Sequence, residues 1–178
     1  MTRDHLAAEI FGVSQLTGRF TLRSGMEATE YFDKFLFESD PQLLARIAVA
    51  MADLVPEGTD VLAGLEMGGI PVVTALSRET GIPAAFVRKE RKTYGTCKIA
   101  EGPELSGKRV TVVEDVVTRG GAVVDGVNNL REDGAVVTVA LCVVDREQGG
   151  REALADIDIE LRALFTADAL RASSRPRQ

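Results

Sequence analysis

Residues 109–123 read RVTVVEDVVTRGGAV. An apolar strand, Arg109–Val113, runs into two adjacent acids, Glu114 and Asp115. Val116 and Val117 then lead to Thr118-Arg119-Gly120-Gly121 and a helix over Gly121–Glu132. A strand without polar alternation is buried on both faces, as in a parallel sheet sandwiched between helices. The same alternation recurs outward from it. Val61–Leu65, Ala84–Val87 and Val136–Val144 read as apolar strands, and Gly69–Thr80 as a helix between the first two. The fold class is therefore α/β, with a mainly parallel central sheet and helices on both faces.

Toward the N-terminus the pattern changes. Residues 2–14 read as an amphipathic helix with Leu6, Ile10 and Phe11 on one side. Two strand-like pieces follow, Arg19–Arg23 and Glu30–Phe37. Asp40-Pro41 then opens a helix that runs to about Leu54, with Asp at the cap and Pro at the first position. Residues 88–108 fit no period; a long, charged, glycine-punctuated segment inside a compact domain reads as a functional loop. The last eight residues, Arg171–Gln178 (RASSRPRQ), read as a disordered tail.

Composition narrows the chemistry. The 178 residues carry a formal charge of −6, with 45% hydrophobic and 27% charged residues. At about 150 residues per domain this is one domain with its own core. No apolar run reaches the roughly 18 residues of a membrane span, and the first residues lack the apolar stretch of a signal peptide. The acidic balance argues against a general nucleic-acid binder. Two cysteines cannot form a disulfide framework, so a reducing, cytoplasmic setting is expected. A single histidine argues against a Ser-His-Asp triad or a multi-histidine zinc site. What is left is carboxylates, Lys and Arg, and backbone amides.

The central stretch uses those groups in a specific order. Ligands of doubly wound sheets bind outside the C-terminal strand ends, where Glu114 and Asp115 are expected. The glycine pair lets backbone N–H groups approach an anion, and the helix dipole favours it. Acids beside an anion cradle make sense if the ligand carries both a phosphate and a diol, because carboxylates accept hydrogen bonds from hydroxyls. The alternative is a capped strand-to-helix turn with solvated acids.

This order resembles the phosphoribosyl-pyrophosphate (PRPP) motif of the type I phosphoribosyltransferases. The resemblance implies that Glu114 and Asp115 hold the ribose hydroxyls and that Val116, Val117, Thr118, Arg119, Gly120, Gly121 and Ala122 wrap the 5′-phosphate. Arg119 departs from the family pattern, where a small residue is usual. Three further stretches are similar to the orotate phosphoribosyltransferase branch. In Phe20–Phe32, FTLRSGMEATEYF, Arg23 takes a basic position toward PRPP, and Tyr31 and Phe32 the aromatic pair along orotate. In Phe86–Gly102, FVRKERKTYGTCKIAEG, five cations stand within eleven residues of an acidic chain. There Arg88, Lys89, Lys92 and Tyr94 fall at PRPP-binding positions, with Lys92 the candidate for direct catalytic assistance. Many members have His where Tyr94 stands. Cys97 is read as incidental. In Val144–Gly150, VDREQGG, Arg146 would clamp the orotate carboxylate through two parallel hydrogen bonds, with Thr118 nearby. Gly64–Pro71, GLEMGGIP, is a looser match to the pyrophosphate turn. Some members carry Lys where Gly68 stands, which leaves backbone amides alone here.

The resemblance implies a type I phosphoribosyltransferase-like fold over residues 1–170, with a hood from about 1–40 and a core over about 41–166. It implies transfer of the 5-phosphoribosyl group to N1 of orotate in pyrimidine biosynthesis. Mg²⁺ would be the cofactor, carried by PRPP and meeting Glu114 and Asp115 through water rather than bound directly by the protein. A homodimer would share the 88–102 loop between subunits, with no nucleic-acid or membrane partner. Two readings compete: a phosphoribosyltransferase for another base, and a PRPP-sensing regulator that binds RNA through the basic loop.

Overall fold

The computed structural model describes residues 2–21, 25–93 and 98–174. Its chain order is α1 (Arg3–Ser14), β1 (Gln15–Thr21), β2 (Glu27–Phe32), α2 (Lys34–Ser39), α3 (Pro41–Ala52), β3 (Val61–Leu65), α4 (Gly69–Thr80) and β4 (Ala84–Val87). There follow β5 (Ala100–Glu101), β6 (Arg109–Val117), α5 (Gly121–Glu132), β7 (Val136–Asp145), α6 (Gly150–Ala155), β8 (Glu160–Thr166) and α7 (Ala167–Ser173). The main sheet runs β5-β4-β3-β6-β7-β8, parallel throughout except for the two-residue β5, which pairs antiparallel with β4. β1 and β2 form a separate antiparallel pair.

Residue alternation along the strands builds two cores. Val112 faces the layer holding Val127, Leu130 and Leu154, from α5 and α6. Its neighbour Val113 faces Leu6, Phe37, Ile47 and Val73, from α1, α2, α3 and α4. Adjacent strand residues point to opposite faces, so an unbroken Val run fills both layers. The chain leaves β3 toward β4 on one side and returns to β6 on the other. The strand order reverses there, opening a crevice at the strand ends.

Several expectations change. Glu30–Phe37 is not one strand. β2 stops at Phe32, and the Asp33 carboxylate accepts the Phe35 N–H at 3.1 Å to start α2. The consecutive apolar residues Phe35, Leu36 and Phe37 imitate a strand, but a cap placed before them wins locally. The first strand begins at Gln15, ahead of the expected Arg19, and is described to Thr21; Leu22 and Arg23 lie outside the described residues. β6 continues past Val113 to Val117, so the two acids lie inside the strand and not beyond it. β5, α6, β8 and α7 were not foreseen. α7 takes in Arg171–Ser173, which the sequence reading put in the tail, with Thr166 accepting the Ala169 N–H as its cap; residues 175–178 lie outside the described residues. Cys142 sits in β7 opposite Glu114, fully buried, and burial pushes its thiol above the ordinary range. No helix among the described residues is long and apolar enough to cross a membrane.

Candidate active site

The C-terminal ends of β3, β6 and β7 meet at the reversal of strand order. Asp115 lies on the Val113 face of β6, toward α2 and α4, and is fully buried. Its Oδ1 accepts the Val116 N–H, and Glu114 Oε1 accepts the Asp115 N–H at 3.0 Å. Asp115 Oδ2 sits 2.7 Å from Lys34 Nζ, an ion pair without a well-directed hydrogen bond. Glu38, one turn along α2, is buried beside Asp115, and neither of its oxygens meets a backbone or hydroxyl donor.

Three carboxyls and one ammonium in so little space must share protons. Burial, then the Asp115 carboxyl, raises Glu38 to about 9. Burial and Asp115 likewise push Glu114 well above the usual carboxylate range. Burial works against ionised Asp115 too, but hydrogen bonds with Glu114 and Glu38 and the Lys34 ammonium outweigh it, holding Asp115 below its ordinary value. At neutral pH Asp115 is therefore the ionised acid of the cluster and Glu38 holds its proton, with Glu114 shifted in the same direction as Glu38. Gly68 makes this packing possible: a Cβ there would stand 1.7 Å from Asp115 Oδ2.

The expected anion cradle follows at once. Thr118, Arg119, Gly121 and Ala122 are exposed around the start of α5, and Gly120 adopts a left-handed φ of 79°. Gly120 also backs onto Gly150, whose carbonyl would lie 3.0 Å from an added Cβ. Gly150 in turn sits against the Thr118 carbonyl. The Arg146 N–H donates to the Val117 carbonyl at 2.8 Å. The loops after β6 and β7 thus form one packed unit.

Arg146 is half-buried, its guanidinium 5.9 Å from the Phe32 ring centre. Burial, and the neighbouring Arg171, lower its pKa. Among the described residues no carboxylate forms an ion pair with Arg146, so its fork faces no internal acid. Phe32 and Arg146 are brought together as expected. Tyr31 points to the opposite face of β2, exposed, with its ring 5.5 Å from that of Phe20.

The basic segment is pinned at its base, where the Arg88 N–H donates to the Ile99 carbonyl at 2.8 Å. Its cations meet acids of the fold: Arg88 and Lys92 pair with Glu101, Arg91 with Asp133 at 2.8 Å, and Lys98 with Glu104 at 3.9 Å. Lys89 is exposed, and its N–H donates to Glu66 Oε1 at 2.7 Å, joining the segment to the turn after β3. Lys92 is therefore placed at Glu101 and not at the acid pair. Arg23, Tyr94 and Cys97 lie outside the described residues.

The sequence reading missed Lys34, Glu38 and the part played by Gly68. Lys34 and Glu38 are spaced i, i+4, which unites them on one face only once the segment is read as helix. A concavity of about 1080 Å³ between α1, α7 and β8 contains none of the sequence-predicted residues. The open crevice at the strand ends does.

Known proteins are similar to this chain. The family model for the phosphoribosyl transferase domain matches residues 37–163. An orotate phosphoribosyltransferase from a Nocardioides species is 56% identical over 168 residues, 94% of each chain. One from Halobacterium salinarum is 48% identical over 153 residues, covering 86% of this chain and 87% of its own. Among solved structures, Mycobacterium tuberculosis H37Rv orotate phosphoribosyltransferase in complex with PRPP aligns with a TM-score of 0.82 at 31% identity. That alignment covers 95% of this chain and 98% of the other.

Proposed function

Since this chain belongs to the phosphoribosyl transferase family, we propose that it transfers the 5-phosphoribosyl group from PRPP to N1 of orotate, giving orotidine 5′-monophosphate and pyrophosphate. The observation that carries this reading is a convergence at one sheet edge. An ionised carboxylate near the end of β6, a glycine-built anion cradle and an arginine that, among the described residues, pairs with no acid stand close together, the loops after β6 and β7 packing against one another.

Each group then has a task. Asp115 and Glu114 accept the ribose hydroxyls, and the backbone at residues 118–122 takes the 5′-phosphate at the N-terminus of α5. Arg146 holds the orotate carboxylate while Phe32 backs the ring. The C1–oxygen bond breaks with its electron pair leaving on pyrophosphate, the C1–N1 bond forms, and the N1 proton is lost. Positive charge builds on the sugar and negative charge on the leaving group, so fixed cations at the leaving group lower the barrier. Arg88, Lys89 and Lys92, with Arg23 and Tyr94, supply that side of the site once the basic segment turns from Glu101 to the substrate.

The donors present suit Mg²⁺, a hard ion that keeps most of its water and takes carboxylate and phosphate oxygens. Glu114 and Asp115 would hold it through water, and when bound with PRPP it neutralises phosphate charge. A homodimer sharing the 88–102 loop and a cytoplasmic setting belong to the same proposal. Whether Tyr31 serves orotate turns on that assembly, since its face of β2 looks away from Arg146.

Loss of orotate absorbance with enzyme, PRPP and Mg²⁺, and appearance of orotidine 5′-monophosphate, tests the reaction. PRPP binding by calorimetry without orotate turnover would move the reading to another base. Lys92→Ala is expected to lower kcat at least tenfold while changing orotate affinity less than threefold, because its charge acts where negative charge develops. Steady-state kinetics beside orotate titration decide this, and equal losses in both would remove Lys92 from the chemical step.

A further inference from the structure

The mechanism leaves one charged side chain at the acid pair without a task. Lys34 reaches it from the first turn of α2, with its side chain 35% exposed and Nζ 2.7 Å from Asp115 Oδ2. The surroundings of that oxygen are restrictive. Oδ1 is committed to the Val116 N–H, and the Gly68 Cα closes one side of Oδ2. Oδ2 is itself buried beneath the Lys34 ammonium, so a sugar hydroxyl that donates to it has to come in beside Lys34.

An ammonium has three donors and no acceptor, whereas a hydroxyl both donates and accepts. One N–H suffices for Asp115, and that contact is already poorly directed. The Phe35 ring, 5.3 Å away, takes none of the others as a strong acceptor would. A hydroxyl that gives its proton to Oδ2 and receives an N–H from Lys34 would satisfy both groups together. Glu38 lies four residues on, but forms no ion pair with Lys34 that would hold the ammonium back.

We propose that Lys34 is a further PRPP-binding residue, its ammonium donating to the ribose hydroxyl that Asp115 accepts from. This assignment rests on the phosphoribosyltransferase reading above. Lys34 then reads the sugar rather than the phosphates, which separates it from the cations of the basic segment. Its place on α2, two residues after Phe32, also sets a sugar contact next to the base contact along the chain.

Calorimetry on the full chain tests this with two probes, PRPP without orotate and inorganic pyrophosphate. Pyrophosphate carries the charge but no diol. Lys34→Met is expected to weaken PRPP about tenfold while changing pyrophosphate affinity less than threefold. In turnover the same variant should raise the KM for PRPP and leave that for orotate within twofold. Lys34→Arg, which keeps the charge and a donor, should restore most of the PRPP affinity. If Lys34→Met does not fold, Lys34→Gln, with a donor but no charge, is read by the same comparison. Equal losses for PRPP and pyrophosphate would make Lys34 a general electrostatic contributor and overturn the assignment, as would PRPP affinity within twofold of wild type. Failure of the wild-type chain to bind PRPP would instead overturn the phosphoribosyltransferase reading, and this assignment with it.

Discussion

Gly68→Ala is expected to lower kcat/KM for PRPP about 100-fold, from a single added methyl group. The added carbon would stand 1.7 Å from Asp115 Oδ2 and 2.4 Å from its Cγ. The backbone gives no cause for resistance, since Gly68 has φ −69° and ψ −31°, ordinary for alanine. The whole effect therefore falls on the carboxylate. Asp115 is walled in by its own strand, Lys34 and Glu38, so it must rotate or move by about the width of the overlap. A displacement near 1 Å at a reacting centre costs on the order of 100-fold. Overpacking of this kind costs about 1–3 kcal/mol in stability, which denaturant titration would register. Orotate binding in the absence of PRPP should hold, because Arg146 and Phe32 lie on other elements. Activity within threefold of wild type would show that Asp115 has freedom the packing denies it.

Arg146→Ala is the second large effect, and it falls on the other substrate. The KM for orotate should rise about 100-fold, in the range of about 2–5 kcal/mol lost when one partner of a desolvated charge pair is truncated. Thermal stability should change little, since among the described residues the guanidinium holds no internal acid. Arg146→Lys should recover only part of the loss, because an ammonium cannot meet a planar carboxylate through two parallel bonds. Uracil supplies the control. It lacks the carboxylate, so any turnover with it should be nearly indifferent to Arg146, and a parallel fall with both bases would place Arg146 in the scaffold instead.

How far these residues could be read in the sequence depends on how local their signal is. Glu114, Asp115 and the Thr118–Ala122 cradle are contiguous, and an apolar strand before them and a helix after them fix their setting. Arg146 is legible for the same reason, at the end of Val136–Val144. Lys34 and Glu38 were hidden because α2 is only six residues long and its apolar run imitates a strand. The context of the acids differs from the sequence reading. They lie within β6, so they are buried and share protons rather than projecting into water. Gly68 shows a further limit: GLEMGGIP reads as an anion-binding turn, but its contact with Asp115 joins residues 47 positions apart, and no local pattern encodes that. Lys92, prominent in the sequence as one of five clustered cations, has Glu101 folded back onto it by the β4–β5 pairing.

The burial of Cys142 gives the molecule a clock. With its thiol sealed in β7 and its ionisation suppressed, a thiol reagent can reach it only when the sheet opens. In a Cys97→Ser background it is the last cysteine in the chain. Its labelling rate then measures the fraction of molecules open at any moment, under native conditions and without denaturant. Any substrate that binds only the closed form slows that rate in proportion to its occupancy. Affinities for PRPP and orotate are thus measurable in variants that no longer turn over, from a position that touches neither.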